Sequence, residues 1–232
     1  MKIDEMCADM PLPSADEYNR FFLQYRQLMM LYESAIQCIE MRLDLIGKES
    51  IAQRQRSPVR VVSSRMKTLD SITRKLKTRG LPLTLQSVET NLNDVAGVRV
   101  ICEYVHDVYA IREALLTGDF IRLVEEKDYI KKPKPNGYRS LHLIVDVPVL
   151  LFEGEQQVRC EIQIRTTAMD SWAGLEHNLR YKKCRVYNAK IDQDLKDCAD
   201  ILFETDMRMQ DIALRMGVLN NSVSNNNYTI SQ

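Results

Sequence analysis

The sequence predicts an α/β protein of the α+β kind, in which helices flank a mixed β-sheet of about five strands. Polar and apolar side chains alternate without a break over residues 158–166, and they alternate again over residues 141–147. Strand side chains point to opposite faces in turn, so each segment fits a strand with one buried face. Apolar residues at helical spacing over residues 21–46, and a second helical segment over residues 191–216, predict long helices near both ends of the chain.

The composition is that of an ordinary globular protein. The 32 Lys and Arg residues equal the 32 Asp and Glu residues, which argues against a general nucleic-acid binder. Residues 54–79 nevertheless carry nine basic residues against the single acid Asp70, and such a segment needs an anion. The cysteines form no Cys-x-x-Cys pair, which predicts reduced thiols. Because the chain has no membrane-length apolar run and no signal-peptide pattern, we expect a cytoplasmic protein without a membrane partner.

The first half of the chain predicts two helices and two strands. A capping box at residues 14–17 begins a long amphipathic helix, which we expect to end near Gly47. A polar linker over residues 50–58 and a short strand over residues 58–62 follow. A second helix is predicted over residues 67–79. The next strand covers residues 93–102, with Asp94 at its start and Gly97 at a point where backbone or ligand can approach closely.

The second half completes the sheet and adds further helices. The pattern predicts a helix over residues 105–117, a strand over residues 120–125 and a lysine-rich loop over residues 131–139. The strand at residues 158–165 precedes a helix with an expected buried stripe of Met169, Trp172, Leu175 and Leu179. The last helix should end at Gly217, and the Asn- and Ser-rich tail of residues 218–232 should be disordered.

Three groups of polar residues are candidates for phosphate binding, metal binding or catalysis, and each also has a simpler structural explanation. Lys67, Ser71 and Lys75 fall on one face of the predicted second helix, which could bind phosphate or be a solvated basic face. Asp94 could bind a metal or be a turn residue. Glu161 lies on the polar face of its strand, which could equally face water. The lysine-rich loop beside this carboxylate suits polyphosphate and metal chemistry.

Six motifs follow one another between residues 65 and 177. They are Arg65-x-Lys67-x-x-x-Ser71-x-x-x-Lys75, Asp94-x-Ala96-Gly97-x-Arg99, Lys-Asp-Tyr-Ile at 127–130, Pro-Lys-Pro-Asn-Gly-Tyr-Arg-Ser-Leu-His at 133–142, Glu-Ile-Gln-Ile-Arg-Thr at 161–166 and Trp-Ala-x-x-Glu-His at 172–177. In this order and spacing they resemble the synthetase domain of RelA/SpoT-type enzymes, over residues 57–183. The flanking regions, residues 1–56 and 184–217, resemble the helices of the small alarmone synthetases.

This resemblance implies an activity as well as a fold. It implies a nucleotidyltransferase-like core that transfers the β,γ-pyrophosphate of ATP to the 3′-OH of GDP or GTP. The products would be AMP and the alarmone ppGpp or pppGpp of the stringent response. Asp94 and Glu161 would be the catalytic carboxylate pair and the candidate metal ligands. Asp94 would bind Mg²⁺, while Glu161 would share the metal or accept the 3′-OH proton.

The resemblance also assigns the two nucleotides to separate sets of residues. The residues expected to bind ATP are Arg65 and Arg99, which would stack on adenine, and Lys67, Ser71 and Lys75, which would hold its phosphates. The residues expected to bind GDP or GTP are Lys134, Asn136, Tyr138, Arg139, His142, Gln163 and Asp170. Within this second set, Tyr138 would stack on guanine and Asp170 would accept its N1–H and N2–H₂ hydrogens, while Lys134 and Arg139 would meet the acceptor phosphates.

Two other function classes share parts of this pattern. Another nucleotidyltransferase would have the same core, but the sequence lacks the Gly-Ser followed by an Asp-x-Asp pair that marks that group. A catalytically weak alarmone- or RNA-binding regulator would keep the basic surface and lose the acids, whereas both acids are present here. Of the three histidines, His142 and His177 belong to synthetase motifs, so we expect no hydrolysis of the product. Nucleic acid is not required for the expected reaction.

The apolar stripes of the two terminal helices are relevant to the oligomeric state of the protein. Their apolar stripes include Phe21, Phe22, Tyr25, Met29, Tyr32, Ile201, Leu202 and Met207. Stripes of this size need a cover, and either the two helices cover each other and the sheet or other subunits cover them. The resemblance to small alarmone synthetases favours a homotetramer, in which a guanosine nucleotide could bind between subunits as an allosteric regulator.

Overall fold

A single mixed β-sheet of five strands forms the centre of the computed structural model, which describes residues 15–118, 120–181 and 189–219. The strands are β1 (Val61–Met66), β2 (Ala96–Cys102), β3 (Arg122–Asp128), β4 (Leu141–Leu151) and β5 (Gly154–Thr166). The helices are α1 (Ala15–Arg54), α2 (Leu69–Thr78), α3 (Leu85–Asn91), α4 (Val105–Leu116), α5 (Thr167–Tyr181) and α6 (Ala189–Arg215). The predicted fold class, a mixed sheet with flanking helices, is confirmed.

The strand order is β1-β2-β5-β4-β3, and the central pair β2 and β5 is parallel while the other neighbours are antiparallel. Cys160, Ile162 and Ile164 of β5 are fully buried on one face of the sheet. Ile39 of α1 and Ile111 of α4 are fully buried in the same apolar cluster. Since strand side chains alternate, the polar side chains of β5 lie on the opposite face, away from this core.

Helix α1 is longer than predicted, because it continues through Gly47 to Arg54. The predicted helix end near Gly47 and most of the predicted linker over residues 50–58 are therefore wrong. A Cβ atom at position 47 would lie 3.1 Å from the Oγ atom of Ser57. The glycine thus lets the chain leading into β1 pass close to the helix instead of ending it. Ser14, the N-cap residue of the capping box predicted at residues 14–17, lies outside the described residues.

The observed ends of β1 and the observed start of α2 differ from prediction, and they change the elements to which two site residues belong. Strand β1 starts and ends later in the chain than predicted, so Arg65 is a strand residue. Thr68 is the N-cap of α2, and its hydroxyl oxygen accepts a hydrogen bond from the backbone N–H of Ser71 at 3.3 Å. The prediction that Lys67 lies in this helix is therefore wrong, because an N-cap residue stands before the first helical turn. Lys67 occupies the connection between β1 and α2.

Several shorter differences concern the sheet edge and its surroundings. Helix α3 is not predicted, although Thr84 caps it by accepting the Ser87 backbone N–H at 3.1 Å. Strand β3 covers Arg122–Asp128 rather than residues 120–125. Strands β4 and β5 both extend beyond the predicted ranges towards the hairpin that joins them, where Leu150 is exposed.

No helix in the described part of the chain is long and apolar enough to cross a membrane.

The C-terminal helices differ from prediction in two respects. Met169 and Trp172 are buried as expected, but Leu175 is 61% exposed and Leu179 is 48% exposed, so the predicted buried stripe of α5 is only half right. Helix α6 ends at Arg215, just before the predicted end. Leu219 is buried, which contradicts a disordered tail beginning at residue 218. The rest of that predicted tail, residues 220–232, lies outside the described part of the chain.

Candidate active site

The strand register gathers the predicted site residues on the polar face of the sheet. Glu161 of β5 lies opposite Gly97 of β2, and Gln163 lies between Arg99 of β2 and His142 of β4. Neighbouring strands are about 4.8 Å apart, so side chains in such a row can touch. The parallel pairing of β2 with β5 therefore brings together residues that are more than sixty positions apart in the chain.

An open cleft lies over this polar face, beside the edge strand β1. It has a volume of about 240 Å³, and its lining includes Arg65, Asp94, Gly97, Arg99, Glu161 and Gln163. A Cβ atom on Gly97 would be 3.8 Å from the Cγ atom of Arg65, which is an ordinary van der Waals distance, so the arginine side chain lies across this glycine. The cleft thus combines the predicted carboxylate pair with the two arginines predicted to stack on adenine.

Asp94 stands just before β2 and is held by two lysines. The Nζ atoms of Lys67 and Lys75 donate to its Oδ2 atom at 2.8 and 2.6 Å. Burial would raise the pKa of the Asp94 carboxyl, but these hydrogen bonds and the two positive charges lower it below its ordinary value. Within the described residues, its buried Oδ1 atom has no hydrogen-bond partner. Ser71 contacts Thr68, whose hydroxyl donates to the Ser71 Oγ atom at 3.0 Å.

Glu161 is anchored through both carboxylate oxygens. Its Oε1 atom is 3.0 Å from the Nδ1 atom of His142, and its Oε2 atom accepts from the Nε2 atom of Gln163 at 2.8 Å. Burial would raise the pKa of Glu161 and the charge of Asp94 acts the same way, but the His142 and Gln163 interactions outweigh them and lower it. A carboxylate with a lowered pKa is ionised at neutral pH. It is therefore better suited to bind a cation than to act as a general base.

The two carboxylates fit a magnesium ion that is shared with a substrate. Mg²⁺ is usually bound by one or two carboxylates, with substrate phosphates and water completing its coordination. The described residues contain no group of three or more His, Cys, Asp and Glu side chains that could hold a metal alone. Asp94 offers a buried oxygen without a partner, in the same cleft as Glu161. The donor set therefore suits Mg²⁺ with a polyphosphate, and not a metal held by protein alone.

On the other side of Glu161, Tyr138 lies in a cluster of aromatic and cationic groups. Its hydroxyl is 2.8 Å from the Nε2 atom of His142 and accepts a hydrogen bond from Arg165 at 2.5 Å. The Nζ atom of Lys134 lies 4.9 Å from the centre of the Tyr138 ring and 4.6 Å from that of Tyr129. Burial raises the pKa of the Tyr138 hydroxyl, despite the nearby arginine. The ring is thus held in place and already attracts a cation to its face.

Arg165 is the residue that connects this cluster, although no role is predicted for it from the sequence. Its side chain is 6% exposed and donates to the Asp170 Oδ1 atom at 3.0 Å and to the Gln163 Oε1 atom at 2.7 Å. Arg99 reaches the same Asp170 oxygen at 3.3 Å. The predicted adenine and guanine sites therefore touch each other. Two signals for Arg165 are present in the sequence, because it belongs to the motif at 161–166 and shares the polar face of β5 with Glu161.

Two residues predicted to bind GDP or GTP, Asn136 and Arg139, make hydrogen bonds to helices α5 and α6 instead. The Nδ2 atom of Asn136 donates to Glu176 on α5 at 3.0 Å, while its Oδ1 atom accepts the Tyr138 backbone N–H at 3.2 Å. Arg139 donates to Asp200 on α6 at 2.9 Å and does not join the Tyr138 cluster. The sequence identifies Glu176 only as a member of the motif at 172–177 and predicts no role for Asp200, because the packing of α5 and α6 brings both residues here. A contact between Arg139 and acceptor phosphates stays a prediction.

The residues that line the cleft, apart from Ser63, lie within one recognisable region. The family described as "Region found in RelA / SpoT proteins" matches residues 64–185, which is more than half of the chain. The chain belongs to the RelA/SpoT family. All the site residues predicted from the sequence, from Arg65 to Asp170, fall inside the matched region of this RelA/SpoT protein.

Individual relatives agree with this membership over most of the chain. The RelA/SpoT protein described here is 35% identical over 201 residues to the GTP pyrophosphokinase YwaC of Bacillus subtilis, covering 87% of this chain and 96% of the relative. A second Bacillus subtilis GTP pyrophosphokinase, YjbM, is 33% identical over 189 residues, or 82% of this chain and 88% of the relative.

Solved structures support the same membership. The small alarmone synthetase 1 of Bacillus subtilis, bound to its product pppGpp, superposes with a TM-score of 0.74 at 32% identity, covering 85% of this chain and 99% of that one. The small alarmone synthetase 2 of the same organism also gives a TM-score of 0.74, at 36% identity, and covers 82% of this chain and 98% of that one. The RelA/SpoT resemblance predicted from the motifs is confirmed.

Proposed function

We propose that this protein is a GTP pyrophosphokinase that transfers the β,γ-pyrophosphate of ATP to the 3′-OH of GDP or GTP and releases AMP. One observation carries the proposal: the carboxylates Asp94 and Glu161 share a cleft between a set of lysines and arginines and the Tyr138 cluster. A reaction between two nucleotides needs such an arrangement, with charge neutralisation in the middle and a base-binding surface on each side. The GTP pyrophosphokinases named above are similar over most of this chain.

The ATP side is argued from charge. Lys67 and Lys75 reach the same oxygen of Asp94, so both ammonium groups lie where the phosphates of ATP would enter the cleft. Asp94 and Glu161 would hold Mg²⁺, which supplies charge neutralisation on the phosphoryl oxygens. Arg65 would stack on adenine from the β1 side, because its side chain lies across Gly97. Ser71 faces Thr68, so a contact to phosphate would require that hydroxyl to turn.

The acceptor side is argued from stacking and hydrogen bonds. Guanine would stack on the Tyr138 ring in place of the Lys134 ammonium, which would then be free to meet the acceptor phosphates. Asp170 would accept the guanine N1–H and N2–H₂ hydrogens, with Arg165 fixing its orientation. Glu161 would orient the 3′-OH and hold the metal; its lowered pKa favours this role over that of a general base.

A labelling experiment tests the reaction against its rivals. The purified protein is incubated with Mg²⁺, ATP labelled at the γ-phosphate, and either GDP or GTP. Label that moves into a guanosine product, with AMP as the other product, supports the pyrophosphokinase. Release of pyrophosphate would instead indicate another nucleotidyltransferase, and binding without turnover would indicate an alarmone-binding regulator. Incubating the product with the enzyme tests the expectation that it is not hydrolysed.

We also propose that the protein is a homotetramer, because α1 and α6 leave large apolar side chains uncovered. Tyr32 is buried, but Phe21 is 42% exposed, Phe22 is 49% exposed and Ile201 is 63% exposed. The two helices thus cover only part of their predicted stripes, and neighbouring subunits would cover the rest. Light scattering after size exclusion tests this. A mass near the 26.9 kDa of one chain refutes the tetramer, whereas a fourfold mass that falls in the Phe22→Glu variant supports it.

Two further expectations belong to the same proposal. A guanosine nucleotide bound between subunits would act as an allosteric regulator, and added ppGpp or pppGpp should then change the rate of synthesis in the tetramer. The substrates are cytoplasmic nucleotides, so the cytoplasm is the proposed location. Both expectations come from the family resemblance rather than from a contact in the described residues.

A further inference from the structure

Helix α6 packs directly against the acceptor loop, which is defined here as residues 129–140 between β3 and β4. Gly137 of this loop is buried and has φ of +89°. A Cβ atom at this position would lie 2.7 Å from the Cβ atom of Ala199 and 3.1 Å from the Cα atom of Lys196. The loop backbone therefore rests on the backbone of α6, at a distance that a side chain at position 137 would prevent.

Arg139 fastens the same loop to the helix. Its Nη1 atom donates to the backbone oxygen of Ile130 at 3.1 Å, and its Nη2 atom donates to the Asp200 Oδ1 atom at 2.9 Å. The guanidinium carbon also lies 4.1 Å from the centre of the Phe203 ring. One side chain thus joins the beginning of the acceptor loop, its end and α6. Only 13% of the Arg139 side chain is exposed, so these contacts are partly shielded from water.

The helix also reaches the opposite side of the acceptor site. The Thr166 hydroxyl donates to a carboxylate oxygen of Asp206 on α6. Thr166 directly follows Arg165, whose guanidinium donates to the Tyr138 hydroxyl. The Nε1 atom of Trp172 on α5 donates to the Leu195 backbone oxygen of α6 at 2.9 Å. Helix α6 therefore contacts both the loop that carries Tyr138 and the strand end that holds its hydroxyl.

We propose that α6 sets the affinity for the acceptor nucleotide, with Asp200 and Phe203 acting as positioning residues through Arg139. An acceptor loop already ordered on α6 does not have to be ordered when GDP or GTP binds, so the nucleotide binds more tightly. The inference rests on the proposed function, because it takes the Tyr138 side of the cleft as the guanine site. It differs from the role predicted from sequence, in which Arg139 contacts the acceptor phosphates itself.

Removing the partner of Arg139 distinguishes the two roles. If Arg139 positions the loop, the Asp200→Ala variant raises the KM for GDP by roughly five- to tenfold and leaves the KM for ATP unchanged. The Asp200→Glu variant restores most of the affinity, and the Arg139→Ala, Asp200→Ala double variant is no worse than Arg139→Ala alone. If Arg139 binds phosphate itself, Asp200→Ala releases the guanidinium and leaves the KM for GDP unchanged or lower, which overturns the inference.

Two matched variants control this experiment. Asp197 is an exposed acid of α6 that accepts a hydrogen bond from Gln193 at 2.7 Å, so Asp197→Ala should leave both KM values unchanged. Gly137→Ala should raise the KM for GDP by at least tenfold. Gly118→Ala is placed at a glycine with φ of +79°, where an added Cβ has no neighbour within 4 Å among the described residues beyond those adjacent in the chain. This variant shows the effect of backbone strain alone and should leave the KM for GDP unchanged.

Direct binding separates this inference from the proposed function. Calorimetric titration of GDP into the wild-type protein and the Asp200→Ala variant measures acceptor affinity without turnover. Wild-type protein that neither binds GDP nor makes a guanosine product overturns the proposed function and this inference together. Wild-type protein that binds and uses GDP, with an Asp200→Ala variant of equal affinity, overturns only the inference. Weaker GDP binding by Asp200→Ala, with normal ATP kinetics, supports both.

Discussion

Replacing Glu161 with glutamine removes the charge of this side chain while preserving its shape. The wild-type carboxylate makes hydrogen bonds of 3.0 Å with His142 and 2.8 Å with Gln163, and a glutamine can keep both if either the Gln163 amide flips or the His142 proton moves to the other ring nitrogen. A hydrogen bond to a charged group contributes about 1.5–3 kcal/mol and a neutral one about 0.5–1.5 kcal/mol. The change therefore costs about 2–3 kcal/mol from the two bonds together.

That loss is partly offset, because the variant no longer buries a charge on a side chain that is 15% exposed and repelled by Asp94. The Glu161→Gln protein should stay folded, since a domain is usually stable by about 5–15 kcal/mol. Turnover should fall by at least about 10²-fold, as expected when a charge that helps to hold the metal and orient the 3′-OH in the transition state is lost. Catalysis, and not folding, would then account for the loss of activity.

The assay measures AMP and guanosine product by anion-exchange chromatography, with thermal unfolding measured on the same samples. Glu155→Gln is a matched control, because Glu155 lies on the same strand, is exposed and accepts a hydrogen bond at 2.7 Å from the glutamine two residues away. The control should keep wild-type turnover. Near-normal turnover in Glu161→Gln would refute the assignment of this carboxylate to catalysis.

Three further predictions test the acceptor site, the metal and α6. Tyr138→Ala should weaken use of GDP and GTP by roughly 1–3 kcal/mol, the value of one stacked base, and leave the KM for ATP unchanged; an equal loss for ATP would place Tyr138 in the other site. A chelator should abolish turnover and added Mg²⁺ should restore it, with GDP binding used as a check on folding. Burial raises the pKa of Asp206, despite the Thr166 hydrogen bond, so its stabilising contribution is complete below about pH 4 and is lost as pH rises through the folded pKa. Asp206→Asn should therefore unfold at higher urea concentration than wild type at pH 7, and a lower midpoint would contradict this reasoning.

The sheet was predictable where one strand face is buried and the other is polar. The alternation around Glu161 identified β5, and it also placed Arg99 and Gln163 on adjacent polar faces once the strands were paired. Boundaries were less predictable where a residue has a tertiary role. Gly47 resembles a helix end in the sequence, but it is a contact point for Ser57 within a longer helix.

The members of the site were predictable from their motifs, but their orientations were not. Lys134 and Arg139 occur in one basic loop, yet the first lies over Tyr138 and the second pairs with Asp200. The difference arises because α6, which is distant in sequence, packs on one side of that loop. The role of Arg165 was not predicted, since it depends on joining Tyr138 of the acceptor loop to Gln163 on its own strand and to Asp170 on α5.

The most direct test of the account is the identity of the bond formed. The wild-type protein is incubated with ATP, Mg²⁺ and either GDP or 3′-deoxy-GDP, and the products are quantified by mass spectrometry. We expect one AMP for each ppGpp formed from GDP, with both the β- and γ-phosphorus of ATP in the product. We expect no product from 3′-deoxy-GDP, which lacks the attacking hydroxyl. Pyrophosphorylated product from 3′-deoxy-GDP, or release of free pyrophosphate with GDP, would contradict the account.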